Sequence, residues 1–257
     1  MERKNKSTKG KKVVAAKRRR TPSRFIILVI TVLIAIAVVG TVYFVLSSHG
    51  NVATSTSDTS AKYKWKILYV NQGNGLISES NFAALLSTVK SHGFNTIFFQ
   101  VYRSGTLIFT VAQLEYFVSN AHSGNVSIFF ALYFTNSTQQ IPSQIYGLSE
   151  NGISLDMSAL PSQSQQTLFS VLNQNYHGGK TAITTTNFAL ALKPDLLILE
   201  TYDFSADKQY VHSGIIAGVE ALATQNFQDY ETQYNYDLNN SDGVMVFDYY
   251  GLTTKGY

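Results

Sequence analysis

The sequence predicts an α/β chain: a (β/α)8 TIM barrel of minimal size, preceded by one transmembrane helix. Three observations predict it. Residues 25–46 are apolar and carry no charge. Eight short β-rich runs recur between residue 63 and the C-terminus, most of them continuously apolar, as strands buried on both faces are. Several of these runs end in acids and tyrosines, at the end of the strand where such a barrel gathers its reactive groups.

The N-terminal elements come first. Residues 1–24 hold 11 of the 20 Lys and Arg and one acid, Glu2. The remainder has 9 bases against 15 acids, so the formal net charge of +4 belongs to the tail. A nucleic-acid footprint needs basic residues on the folded part, which excludes nucleic acid as a partner. Residues 25–46 would extend roughly 33 Å as a helix, enough to span a bilayer. The run is longer than the roughly 7–15 apolar residues of a signal peptide, and no A-x-A-like site follows it. It reads as an uncleaved anchor, with the basic tail cytoplasmic and the domain extracellular. Residues 47–62 are polar and read as a flexible stalk. Residues 63–257 make up one domain. It contains no cysteine, so its core must hold it without disulfides. Asn125-Val126-Ser127, Asn136-Ser137-Thr138 and Asn239-Asn240-Ser241 are glycosylation sequons that only an exported domain can use.

Eight strands are expected at 64–70, 95–102, 126–134, 152–157, 181–186, 195–202, 214–222 and 243–250. Helices are expected between them. The segment from Ser78 has polar capping residues and stops at Gly93. Segments 110–121, 162–175 and 226–239 have suitable lengths. The connections after the fourth and fifth strands read as shorter or weaker. Alternating βα units favour a parallel sheet, and eight of them a closed barrel. An open doubly wound sheet is the competing topology, but no glycine-rich nucleotide fingerprint supports one.

Two pieces resemble known families. His92–Gly105, with Gly93, Asn95, Thr96, Gln100 and Val101, resembles the second strand of glycosyl-hydrolase-like barrels; Tyr102 stands where their arginine is usual, and Arg103 follows. Asn151–Pro161 resembles their fourth strand, which implies a catalytic or substrate-binding role for Asp156. The same piece is more distantly similar to family 18 chitinases (D-G-x-D-x-D-x-E). There Asp156 matches the last aspartate, while Asn151, Ser154 and Ser158 replace two aspartates and the acid glutamate. Glu200–Phe204 is similar to their sixth-strand M-x-Y-D-F through Tyr202 and Asp203.

Glycoside hydrolysis needs one carboxyl group to protonate the leaving oxygen and a second to attack or to activate water. Asp156, Glu200 and Asp203 are the candidate catalytic acids, with Glu220 a weaker one. Each could instead cap a helix or bond backbone amides at a strand-to-helix turn. Gln100, Tyr102, Arg103, Tyr202, Asp248 and Tyr249 are the candidate substrate-binding residues. Tyr69, Tyr133 and Tyr250 also fall at strand ends, where aromatic faces suit sugar rings but also suit ordinary packing. Asn71 to Gly75 reads as a turn. The five histidines are scattered and no metal motif is present, so neither metal nor cofactor is expected. The expected partners are the membrane and a polysaccharide or envelope glycan. A barrel that binds glycan without cutting it, or an envelope scaffold, is the alternative.

Overall fold

The computed structural model describes residues 64–256 except 74, 149, 190 and 222–225. The expected anchor at 25–46, the basic tail and the stalk lie outside the described residues. Among the described residues, no helix is long and apolar enough to cross a membrane.

In chain order the elements are β1 (Trp65–Val70), α1 (Glu79–Ser91), β2 (Thr96–Arg103), β3 (Thr106–Leu107), α2 (Val111–Ser123), β4 (Ser127–Tyr133), β5 (Gly152–Asp156) and α3 (Ser162–Asn175). There follow β6 (Lys180–Thr185), β7 (Leu196–Glu200), α4 (Phe204–Asp207), β8 (Ile216–Glu220), α5 (Phe227–Asn240), β9 (Gly243–Phe247) and α6 (Tyr249–Lys255). Eight strands pair in parallel in the order β1-β9-β8-β7-β6-β5-β4-β2, and β1 pairs with β2. The sheet is therefore a closed barrel, and the open doubly wound alternative is excluded. The two-residue β3 only folds back antiparallel on the end of β2.

The helices start where local chemistry starts them. Thr110 accepts from Gln113 N at 3.3 Å, while the Gln113 amide takes the Thr110 N–H at 3.1 Å, a reciprocal cap on α2. Asn226 accepts from Asp229 N at 2.9 Å and opens α5. Gly93, at φ +72°, ends the turn after α1 in a conformation glycine adopts without strain. Two expectations need correction. The helix expected at 162–175 forms as α3, so the connection after the fourth barrel strand is not a weak one; it is the third that carries only a 3-10 turn at Ser143–Ile145. The last strand ends at Phe247, because the Asp248 carboxylate caps α6 and draws Tyr249 and Tyr250 into that helix.

The core has two layers. Inside the barrel lie Ile67, Tyr69, Phe98, Phe129, Ile198 and Met245. Gly152 makes room there: a Cβ on it would stand 2.3 Å from the Phe129 ring. Between barrel and helices lies a larger apolar shell in which Phe82, Phe99, Phe109 and Phe117 interlock.

One buried acid lies away from the strand tips. Glu150, just before β5, is 3% exposed, and neither carboxyl oxygen has a hydrogen-bond partner. Burial pushes its pKa up to about 7, and the neighbouring Tyr176 hydroxyl favours the anion only in part. The folded chain thus binds more protons than the unfolded one between roughly pH 4.5 and 7, and stability falls as pH rises through that window. Glu150→Gln removes the titration. We expect it to be more stable than the parent at pH 8 by about 1–3 kcal/mol, and near parity at pH 4.5, by urea denaturation. Equal losses in both proteins from pH 4.5 to 8 would mean that Glu150 is ionised throughout.

Candidate active site

Successive side chains of a strand alternate between its two faces, so each inward register ends in a predictable residue at the mouth. In β1 the inward series Ile67, Tyr69 continues to Asn71. In β5 it runs Ser154, Asp156, then Ser158; in β7 Ile198, Glu200, then Tyr202. The lower positions are mainly apolar or small, and the upper ones are polar. Six of the eight barrel strands send a side chain into one cleft of about 250 Å³, lined by Tyr69, Asn71, Gln100, Arg103, Tyr133, Asp156, Ser158, Glu200, Tyr202 and Phe247.

A single irregularity decides what β2 contributes. Its pairing with β4 slips between Gln100 and Tyr102, so that Tyr102 lies beside Leu132 and Arg103 beside Tyr133. The extra residue, Val101, inverts the alternation beyond Gln100. Tyr102 therefore turns into the outer shell, 3% exposed, with its ring 5.2 Å from that of Phe134. Arg103 takes the place at the cleft. Gly73 accommodates it: a Cβ there would come within 2.0 Å of the guanidinium.

Asp156 is 4% exposed. Its Oδ1 accepts from the Ser158 hydroxyl at 2.9 Å and its Oδ2 from the Tyr69 hydroxyl at 3.3 Å. Gln100 supports this arrangement, since its amide oxygen accepts from Gln72 N at 3.0 Å while its nitrogen lies 3.5 Å from the Tyr69 oxygen. Burial pushes the Asp156 pKa up to about 6, with the Ser158 and Tyr69 hydroxyls holding it back. Glu200 is 9% exposed and goes further, to about 8. Burial is the larger cause and the neighbouring Asp156 charge the next; the Tyr202 and Ser158 hydroxyls oppose them. Burial and then the adjacent carboxylates raise the pKa values of Tyr69 and Tyr202, so both remain phenols able to donate. Phe247 stands between these tyrosines, its ring 4.7 Å from Tyr69 and 6.2 Å from Tyr202.

Of the candidate residues, then, Asp156, Glu200, Gln100, Arg103 and Tyr202 come together. The strand-end tyrosines Tyr69 and Tyr133 line the cleft with them, and the remaining candidates do not. Asp203 is exposed and caps α4, accepting from Ala206 N at 3.3 Å. Asp248 is buried and caps α6, accepting from Gly251 N at 2.9 Å. Its charge adds to burial in raising the pKa of Glu220. Tyr249 packs on the outer shell. Asn71, Ser158 and Phe247 also line the cleft, although in sequence they look like a turn, a lost acid and plain strand. The alternation itself would have found Ser158, two residues beyond Asp156.

Such a pair of carboxyl groups can divide acid and base duties near neutral pH, one ionised and the other protonated. Among the described residues, no three His, Cys, Asp or Glu side chains group as a metal site. A larger hollow, about 700 Å³, lies between residues 137–146 and α3, but no carboxylate lines it.

No family model matches the sequence, and neither does any curated protein. Solved structures with a similar fold include glycoside hydrolases. One is a GH20 catalytic module of the pneumococcal exo-β-D-N-acetylglucosaminidase StrH (TM-score 0.49, 8% identity, covering 73% of this chain and 80% of that one). Another is the GH20 β-N-acetylhexosaminidase from Streptomyces coelicolor A3(2) (TM-score 0.44, 8% identity, 73% and 48%), of which this chain spans about half. An HpcH/HpaI aldolase from Desulfitobacterium hafniense DCB-2 is similar to the same degree (TM-score 0.45, 9% identity, 77% and 91%). The barrel itself is established by the pairing of its own strands.

Proposed function

We propose that this protein is a membrane-anchored, outward-facing glycoside hydrolase that acts on a polysaccharide or envelope glycan. The observation that carries the reading is the pair Asp156 and Glu200, buried together at the ends of the fourth and sixth barrel strands with unequal proton affinities. Glu200 holds its proton near neutral pH and donates it to the leaving glycosidic oxygen. Asp156, ionised, attacks the anomeric carbon or draws a proton from water. Both carboxyls lie close enough to feel the Ser158 hydroxyl, which favours the short separation of retaining enzymes, about 5–5.5 Å. Arg103, Gln100, Asn71 and Tyr133 supply hydrogen bonds to sugar hydroxyls, and the Tyr69–Phe247–Tyr202 wall offers aromatic surface. The cleft's size suits one sugar ring, with the rest of the chain outside. The anchor and the outward orientation rest on residues 1–46 of the sequence.

The test is to incubate the full chain with neutral and anionic polysaccharides and follow released oligosaccharides by mass spectrometry. Release by the parent, and none by Asp156→Asn or Glu200→Gln, is the expected result. Equal release by parent and both variants would remove the pair from the mechanism. A second reading, a barrel that binds glycan without cutting it, has one observation in its favour: both Asp156 oxygens already accept hydrogen bonds from the protein. It predicts binding that survives Asp156→Asn, with no turnover by either protein.

Ser158 offers a finer test. Its hydroxyl stabilises the anions of both acids, so Ser158→Ala should raise both pKa values. A hydrogen bond to a charged group is worth about 1.5–3 kcal/mol and one pKa unit about 1.4 kcal/mol, so the acidic limb of the rate profile should move up by roughly one to two units. An unmoved limb would show that Asp156 is not the group that must ionise.

A further inference from the structure

Behind the cleft, on the inner face of α5, lie two polar side chains that water does not reach. Gln233 is 1% exposed and Asp237, one turn later, 0%. The Gln233 nitrogen donates to the Thr201 carbonyl at 2.5 Å. Thr201 is the residue between Glu200 and Tyr202, and its hydroxyl donates in turn to the Gly218 carbonyl at 3.0 Å. Three acceptors are left over: Gln233 Oε1 and both carboxyl oxygens of Asp237 have no hydrogen-bond partner. Residues four apart on a helix are neighbours on one face. One Gln233 N–H is committed to the Thr201 carbonyl and the three remaining acceptors have no partner, an arrangement that costs free energy in a buried site. One proton on Asp237 supplies the missing donor.

We propose that Asp237 is a positioning residue, protonated in the folded protein, which donates to Gln233 Oε1 and so holds the Gln233 amide on the peptide that links Glu200 to Tyr202. Ionisation of Asp237 sets its carboxylate against the Gln233 oxygen and loosens that clamp. The consequence for catalysis rests on the roles proposed above for Glu200 and Tyr202; the clamp itself does not.

The surroundings favour the protonated form. Burial is the largest influence on Asp237 and raises its pKa to about 7, while the nearby Gln233 and Thr201 side chains oppose it without reaching hydrogen-bond geometry. Asp237 also sits in the last turn of α5, where the helix dipole disfavours an anion. Among the strands packed on α5, β9 has no titratable residue and β8 has only Glu220, which feels the charge of Asp248. Glu200 on β7 lines the cleft. On α5 itself Tyr230 and Tyr234 are buried or half-buried, and Asp229, Glu231 and Tyr236 are exposed. At the helix end Lys64 bonds the Ser241 carbonyl, and Asp242 accepts from Ser213. Asp203 and Asp207 belong to the α4 turn.

Two measurements on the full chain test the clamp without reference to activity. The first is hydrogen exchange of residues 199–204, corrected for the intrinsic effect of pH. It is expected to rise severalfold from pH 6 to pH 8.5 in the parent and to stay flat in Asp237→Asn, whose amide donates without titrating. The second is urea denaturation. Between pH 5 and 8 the parent's unfolding constant should rise about tenfold or more beyond that of the variant. A flat profile in the parent overturns the proposal, and so does an equal rise in both proteins. Should Asp237→Asn fail to fold, Gln233→Leu takes its place. Its exchange at 199–204 should already be high at pH 6 and indifferent to pH; a profile that follows the parent's overturns the proposal as well.

Discussion

Asp156→Asn is expected to reduce kcat/KM for glycan hydrolysis by about 10²–10⁴, the usual contribution of a positioned acid or base. The pH profile should be more telling than the magnitude. In the proposed mechanism, activity requires Asp156 ionised and Glu200 protonated. As pH rises, activity should therefore appear near 6, where Asp156 loses its proton, and disappear near 8, where Glu200 does. Because the two groups interact, these limbs belong to the pair. The Asp156 charge is itself a cause of the raised Glu200 value. Any residual activity of Asp156→Asn should consequently lose the acidic limb and show its alkaline limb at lower pH. Measuring kcat/KM from pH 4 to 10 for both proteins checks this. An alkaline limb that stays in place in the variant would mean that the two carboxyls do not sense each other.

The largest effect on stability is expected from Phe99→Ala. Phe99 is fully buried where β2 meets the first two helices. Its ring lies 4.9 Å from Phe117, 5.4 Å from Phe109 and 5.7 Å from Phe82. Truncating a buried phenylalanine costs about 3–5 kcal/mol, because the transfer free energy is lost and the cavity only partly collapses; the edge and stacked ring contacts push toward the upper end. In a domain of this size each kcal/mol shifts Tm by roughly 2–4 °C, so a fall of roughly 6–20 °C is expected by calorimetry. A change below 2 °C would mean that the shell repacks around the gap. Gln100, one residue along and inward-facing, provides a contrast: its truncation should disturb the cleft more than the fold.

Much of the architecture is legible locally. A continuous apolar run between polar turns is a strand buried on both faces, and all eight β-rich runs, most of them of this kind, became barrel strands. Thr110 and Asn226 precede helices because a short polar side chain can take up the free amides of a first turn, and at Ser78 the Asn81 side chain accepts the backbone N–H. The C-terminal segment departs from this pattern for a related reason. The apolar run GVMVF and the aromatics after it look like one strand, but Asp248 interrupts them as a cap, and only the backbone direction beyond Phe247 distinguishes the two.

The site was legible as a set of acids and not as a constellation. Asp156, Asp203 and Asp248 each follow an apolar run, yet only Asp156 reaches the cleft; the other two satisfy helix amides. The chemistry of a carboxylate is the same in both settings, so nothing in the residue or its neighbours separates them. Ser158, which looks in sequence like a lost acid, bonds the one that remains.

Local chemistry along the chain specifies the eight barrel strands, the helices that polar caps start, and the carboxylates where strands end. Each follows from interactions within about ten residues. Which side chains meet depends on how the strands pair. Closure of β1 on β2 brings Tyr69 to Asp156 across 87 positions of chain. The single-residue slip in β2 exchanges Tyr102 for Arg103 at the cleft. Facing depends on the register between strands, and register is a property of pairs that the chain forms only when the barrel closes.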